Sequence, residues 1–429
     1  MRIMVRFLVV TVLVGGLLAG CGALYIHGDF AAAQRLLVRG HHRAAKVRLQ
    51  RYLRLYRSDA RARLMLAQAI VADDDRPAED AARDAVAELA LIPDESPCAA
   101  EARTRAGRLL FLILLRPGDA EPLFDKAIEL KPDALDPCIM LWNLRNVTGR
   151  FHLTQALFWR IYDLSADSDR PLRLRDWYLS EFGRGSAFAE LDRKLGVLEK
   201  DASPSMHSEF DRLRYIRLAQ PDWPPGTAAL ARLLRDEGYR ELALQVLELA
   251  GPEALHDPYF IGTRIQLAMD AGDFDEATEW FSRWPEPREG YEYWFFRGTI
   301  ADEVRRDDAE AIVSYEQALR EPLGDTDWQV LNRLAHCLLR SGRIAEARTA
   351  RERAGQLEKL MEREFHQKLR KAFGDLDNPD SIREIIEFYR KLGRQREVAE
   401  WNAWLKRLAA EPSESTGASP QLSGKLSTE

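Results

Sequence analysis

Two adjacent histidines, His41 and His42, and three adjacent aspartates, Asp73, Asp74 and Asp75, are the densest groups of metal-ligating residue types in this chain. A zinc site needs ligands that converge, as two histidines four residues apart on one helix face do, and adjacent histidines do not meet that spacing. A calcium loop turns on a glycine and closes on a ligand glutamate, and the aspartate triple has neither at the right spacing. Both groups are therefore read as solvated turn residues. Gly183 and Gly185 lack the third glycine and the preceding strand of a nucleotide-binding loop. No Gly-x-Ser-x-Gly elbow or Ser-x-x-Lys pair sits in a usable setting. The four cysteines, Cys21, Cys98, Cys138 and Cys337, form no Cys-x-x-Cys and no Cys/His spacing. The last three read as small buried hydrophobes. No catalytic, cofactor or metal residue is expected, and no enzymatic activity.

The elements that carry these residues follow from length and pattern. The chain has 429 residues, 46% hydrophobic and 30% charged, with a formal net charge of -6. That composition supports several domains or one long repeat array. Acids and bases are interspersed, which points away from nucleic acid as a partner. At the N-terminus Arg2 and Arg6 precede an uncharged apolar run from Phe7 to Leu18, of signal-peptide length. Leu18-Ala19-Gly20-Cys21 follows and resembles the lipobox of bacterial lipoproteins, in which the cysteine is lipidated. That resemblance implies a signal peptide over 1-20 and a lipid on Cys21. The alternative is an uncleaved anchor reaching about residue 26, because the apolar stretch continues through Ile26. Both readings tether the chain to a membrane. Positive charge before the run places the rest outside the cytoplasm, in the periplasm of the cell envelope.

From Asp29 to about Pro412 the apolar residues recur with helical spacing, as at Leu331, Leu334, Ala335 and Leu338. No alternating strand pattern of useful length appears. Small residues return at a fixed interval: Ala243, Ala277 and Ala311 recur every 34 positions, each followed four residues later by Leu247, Phe281 or Tyr315. Such a period predicts stacked helical hairpins.

The landmarks resemble the tetratricopeptide repeat family. Gly40, Ala45 and Tyr52 mark one unit; Gly107, Ala120, Phe124 and Ala127 another; Trp142, Gly149 and Phe158 a third. Gly238 with Ala243, Gly272 with Ala277, Gly298 with Ala311 and Tyr315, Gly342 with Ala347, and Gly393 with Trp401 continue the series. The resemblance implies an all-α solenoid in which small residues let paired helices touch and turn glycines end the first helix of each pair. In that family the position of Arg108 and Asn143, each next to a contact residue of a first helix, can face a concave groove and grip a partner peptide; the alternative is an ordinary solvated polar residue.

The rhythm breaks twice. Residues 167-222 read as a degenerate helical segment between an N-terminal block, 29-166, and a C-terminal block, 223-410. This irregular middle carries Trp177 and Tyr178, with Trp223 at its edge, and Trp177 and Trp223 are candidate partner contacts. Residues 346-373, rich in Glu, Lys, Arg, Leu and Ala, predict one long helix, with Asp380-Ser381 capping the final pair. Residues 411-429 have the composition of a disordered tail. The function expected is a non-enzymatic, membrane-tethered scaffold for protein or peptide partners. The alternative is a single-pass membrane protein whose irregular middle binds a small molecule or carries an unrecognised enzymatic element.

Overall fold

The computed structural model describes residues 28-182, 209-322 and 324-410. The expected signal or anchor with Cys21, the loop glycines 183 and 185, and the tail 411-429 lie outside the described residues. Among those residues every regular element is helical. The helices form tetratricopeptide-like hairpins such as Ala99–Leu112 with Pro117–Leu130, Pro258–Asp270 with Phe274–Ser282, and Trp328–Arg340 with Ile344–Leu360.

The repeat landmarks do what their chemistry requires. Ala243, Ala277 and Ala311 are each 0% exposed, so the helices touch backbone to backbone at these positions. Gly40, Gly149, Gly238, Gly272, Gly342 and Gly393 all have positive φ, between 70° and 88°. That left-handed conformation ends a helix and costs a glycine no Cβ clash. Asp273, directly after Gly272, accepts a hydrogen bond from the Glu276 amide at 2.9 Å and starts the next helix.

The chain divides into two compact units. Among the described residues, one comprises 28-165 together with 209-289; the other comprises 166-182 together with 290-322 and 324-410. The irregular middle therefore contributes to both, with helix Arg170–Phe182 in the second unit and helix Glu209–Ala219 in the first. One core of the first unit runs from Ala33 and Leu49 to Ala102 and Ala106. One core of the second runs from Ala301 and Tyr315 to Ala347 and Ala350.

Two sequence expectations need correction. The long helix over 346-373 is two helices, Ile344–Leu360 and Arg363–Phe373, broken at Met361 and at Glu362, whose ψ is 140°. No Pro or Gly stands at the break. The second helix instead buries Leu369, Ala372 and Phe373, and the Phe373 ring stacks 4.2 Å from Tyr178, so packing overrides local propensity. The cap before Pro379 is Asn378, whose side chain accepts from the Asp380 amide at 3.0 Å, so the cap precedes the expected Asp380-Ser381.

Candidate functional site

The residues expected to meet a partner do not share an environment. Arg108 is exposed on helix Ala99–Leu112. Its neighbour Gly107 lies under the Phe124 ring, where a Cβ would stand 2.7 Å from Cε1. This contact fixes the rotation of the helix and turns Arg108 outward.

Asn143 is 1% exposed, which corrects its expected place on an open groove. It sits between Trp142 and Leu144 on helix Leu135–Val147, and the whole of this stretch is buried. Neither its Nδ2 nor its Oδ1 has a hydrogen-bond partner among the described residues. Apolar residues lie on every side of this helix, so a 3.6-residue pattern could not tell which side faces solvent.

Trp177 is 1% exposed and Tyr178 is fully buried, both in the second unit. The Tyr178 hydroxyl bonds His366 Nδ1 at 2.8 Å. Burial pushes this phenol well above its usual range and the His366 imidazole below its own, with Arg370 adding to the effect on the histidine. Both aromatics are buried in the core of this unit. Trp223, half-buried, belongs to the first unit. A side chain at Gly118 would lie 2.5 Å from its ring, and the Arg150 guanidinium stands 5.4 Å above it. Next to it, Gln220 accepts from the Gly118 amide at 2.9 Å and donates to Asp119 at 2.9 Å. Tyr259 donates to the Thr148 carbonyl at 2.9 Å. Trp223 therefore locks residues 117-154 to residues 220-263.

The open surface beside Trp223 is a cleft of about 410 Å³ lined by Arg116, Ala219, Gln220, Pro221, Asp222 and Trp223. A second cleft, of about 330 Å³, lies between the turns that carry His41-His42 and Asp73–Asp75. There Asp73 accepts from Arg43 and from Lys46, both at 3.2 Å, and Asp75 pairs with Arg43. Asp73 and Asp75 are thus paired with cations of the preceding hairpin.

Among the described residues one group has donors close enough for a metal: Asp302, Asp308 and Cys337. The Arg340 guanidinium already fills it, bonding both carboxylates and lying 3.4 Å from Cys337 Sγ. Burial, with Asp302 adding, pushes the Cys337 thiol up to about 12, so it stays protonated and is a poor ligand.

Sequence reasoning missed two further ion networks among the described residues. In the first unit Glu121 binds Arg145 at 3.0 Å and Arg150 at 2.8 Å. Burial opposes ionisation of Glu121, but the two guanidiniums outweigh it and hold the carboxyl below its usual range. In the second unit Arg394, 7% exposed, pairs with Glu181 and with Asp325. No periodic signal marks such residues, because their partners lie far away in sequence.

No protein-family model matches the chain, and no curated protein matches it. Solved structures do. A hetero-tetramer of Cut9 and Hcn1 from the APC/C matches over 89% of this chain and 73% of that one, at 13% identity and a TM-score of 0.36. A tetratricopeptide repeat protein from Parabacteroides merdae matches over 73% and 98%, at 11% identity and a TM-score of 0.28. A human IFIT1 dimer with m7Gppp-AAAA matches over 90% and 90%, at 14% identity and a TM-score of 0.33. Scores at this level fix neither a function nor a partner.

Proposed function

We propose that this chain is a non-enzymatic scaffold that holds protein or peptide partners on its helical-hairpin surface, tethered to a membrane and displayed outside the cytoplasm. The observation that carries the scaffold reading is the division of labour within the hairpins. Ala243, Ala277, Ala311 and the aromatics that follow the small residues are spent on packing, and the residues between them, such as Arg108, remain free for recognition. The polar groups brought together inside, at Arg340 and at Arg394, are closed ion clusters with a cation already in place. The tether reading rests on the apolar run and Cys21. Among the described residues no helix is long and apolar enough to cross a membrane.

Affinity purification of the tagged chain from native membranes tests the scaffold, and recovery of no protein above background would sink it. Replacing Cys21 by Ser tests the lipoprotein form, which expects release or mislocalisation. Unchanged retention with an intact N-terminus selects the uncleaved anchor. A second reading then gains support from charge. Arg35, Arg39, Arg43 and Lys46 lie within twenty residues after the apolar run, against Arg2 and Arg6 before it. For an uncleaved anchor that asymmetry favours the repeats on the cytoplasmic side. Reporter fusions at the C-terminus distinguish the two orientations.

A further inference from the structure

The charge of this chain is not evenly spread. Between residues 30 and 72 stand ten basic residues and one acid, Asp59. They fall on the first hairpin, helix 28-38 with His42–Leu55, and on the start of Ala60–Val71. The structure shows which charges are already spent. Asp29, 1% exposed, takes Arg48 at 2.6 Å and Arg51 at 3.6 Å. Asp73 and Asp75 take Arg43 and Lys46, and Glu88 takes Arg63 at 2.7 Å. Asp59 is turned inward, capping the Ala62 amide and accepting from the Tyr52 hydroxyl. Arg35, Arg39, Arg54, Arg57 and Arg61 are exposed and have no carboxylate partner among the described residues.

The same hairpin exposes aliphatic side chains. Val38 is 86% exposed, Val47 54% and Leu55 59%. On helix His42–Leu55 the exposed positions Arg43, Val47, Arg51, Arg54 and Leu55 fall on one face at helical spacing, opposite buried Ala45, Leu49 and Tyr52. Arginine mixed with isolated aliphatics on one helix face suits the interfacial zone of a bilayer, where the apolar stems sink and the guanidiniums meet phosphates.

Position along the chain selects the occupant. The apolar run ends at Ile26 and helix 28-38 starts two residues later. At roughly 3.5 Å per residue, the start of the first hairpin lies about 7 Å from the end of the apolar run, within one Debye length of an inserted anchor. We propose that the exposed face of the first hairpin is a membrane-docking surface that binds the anionic headgroups of the bilayer holding the chain. It rests on the tether reading and holds for either leaflet.

The test uses the full chain purified from its native membrane with Cys21 kept, carrying Cys98→Ser and Val47→Cys and labelled at 47 with a membrane-impermeant, environment-sensitive fluorophore. It is reconstituted into phosphatidylcholine vesicles with or without phosphatidylglycerol. Co-flotation reports the tether, and emission at 47 reports docking. The expected result is co-flotation in both vesicles and a blue shift only with phosphatidylglycerol. The shift should be lost when salt shortens the Debye length to ~3 Å. Arg39→Gln, Arg54→Gln, Arg57→Gln and Arg61→Gln together should weaken docking at least ~tenfold with the melting temperature unchanged, since each basic group near an anionic surface contributes about fivefold. Co-flotation with the same emission in both vesicles overturns docking and leaves the tether standing. Absence from the floated fraction overturns both. An equal shift with single-stranded RNA and no vesicles reassigns the face to nucleic acid and overturns the lipid proposal.

Discussion

Gly298 lies face-on against Tyr315: a Cβ at position 298 would stand 2.7 Å from both Cδ1 and Cε1 of the ring. Gly107 and Phe124 repeat this relationship in the other unit at the same sequence separation, again with 2.7 Å to the nearest ring carbon. The hairpin is built on it, because the missing side chain of the first helix is the socket for the aromatic of the second.

Gly298→Ala should therefore destabilise the second unit by about 1–3 kcal/mol through overpacking, despite the better helix propensity of alanine. Tyr315→Leu in the same chain should recover part of that loss. Urea unfolding followed by circular dichroism measures both, and a stabilised single variant would show that the ring yields freely.

Arg394 joins Glu181 and Asp325, with Glu397 3.9 Å away. Arg394→Met should cost about 3–5 kcal/mol, because it leaves buried carboxylates without their cation. Adding Glu181→Gln should cost less than the sum of the two single changes, and a double-mutant cycle reads that coupling.

Glu397 is 4% exposed, and burial, with Glu181 adding, raises its carboxyl above the usual range against the pull of Arg394. The folded chain therefore holds this proton to a higher pH than the unfolded chain does. Its contribution to stability is intact below the unfolded value of about 4.3 and is lost as pH rises through the folded value. Glu397→Gln should raise the melting temperature at pH 8 and leave it nearly unchanged at pH 4. An equal shift at both pH values would exclude titration at this site.

Cys138 and Cys337 are fully buried, and burial raises both thiols, while Cys98 is half-buried. With Cys21 replaced by Ser, an aromatic disulfide reagent should titrate Cys98 in the folded protein and the other two only in denaturant. Fast reaction of Cys337 would mean that Arg340 and its carboxylates open in solution.

Asn143 is buried with an amide that bonds nothing among the described residues. Asn143→Leu should be neutral or stabilise by about 1–2 kcal/mol, because it removes a desolvated polar group. Arg108→Ala should leave stability within about 0.5 kcal/mol. Loss of a purified partner on Arg108→Ala but not on Asn143→Leu would place recognition on the exposed position.

The hairpins were legible in the sequence because their contacts recur at short, fixed separations. Ala243, Ala277 and Ala311 mark a helix contact each time, and a glycine at Gly238, Gly272 or Gly342 marks the turn between helices, whatever lies elsewhere in the chain. Tertiary structure alone decided where helix Arg170–Phe182 packs and why the chain breaks at Met361. Tyr178 meets His366 across 188 residues and Glu181 meets Arg394 across 213, and neither pair leaves a period to read. The candidate site divided the same way: exposure of Arg108 followed from its place beside a contact glycine, whereas Asn143, Trp177 and Trp223 look alike in sequence until their neighbours bury them. Helical periodicity records which side of a helix is apolar, and only the packed neighbours determine whether its polar and aromatic residues meet solvent.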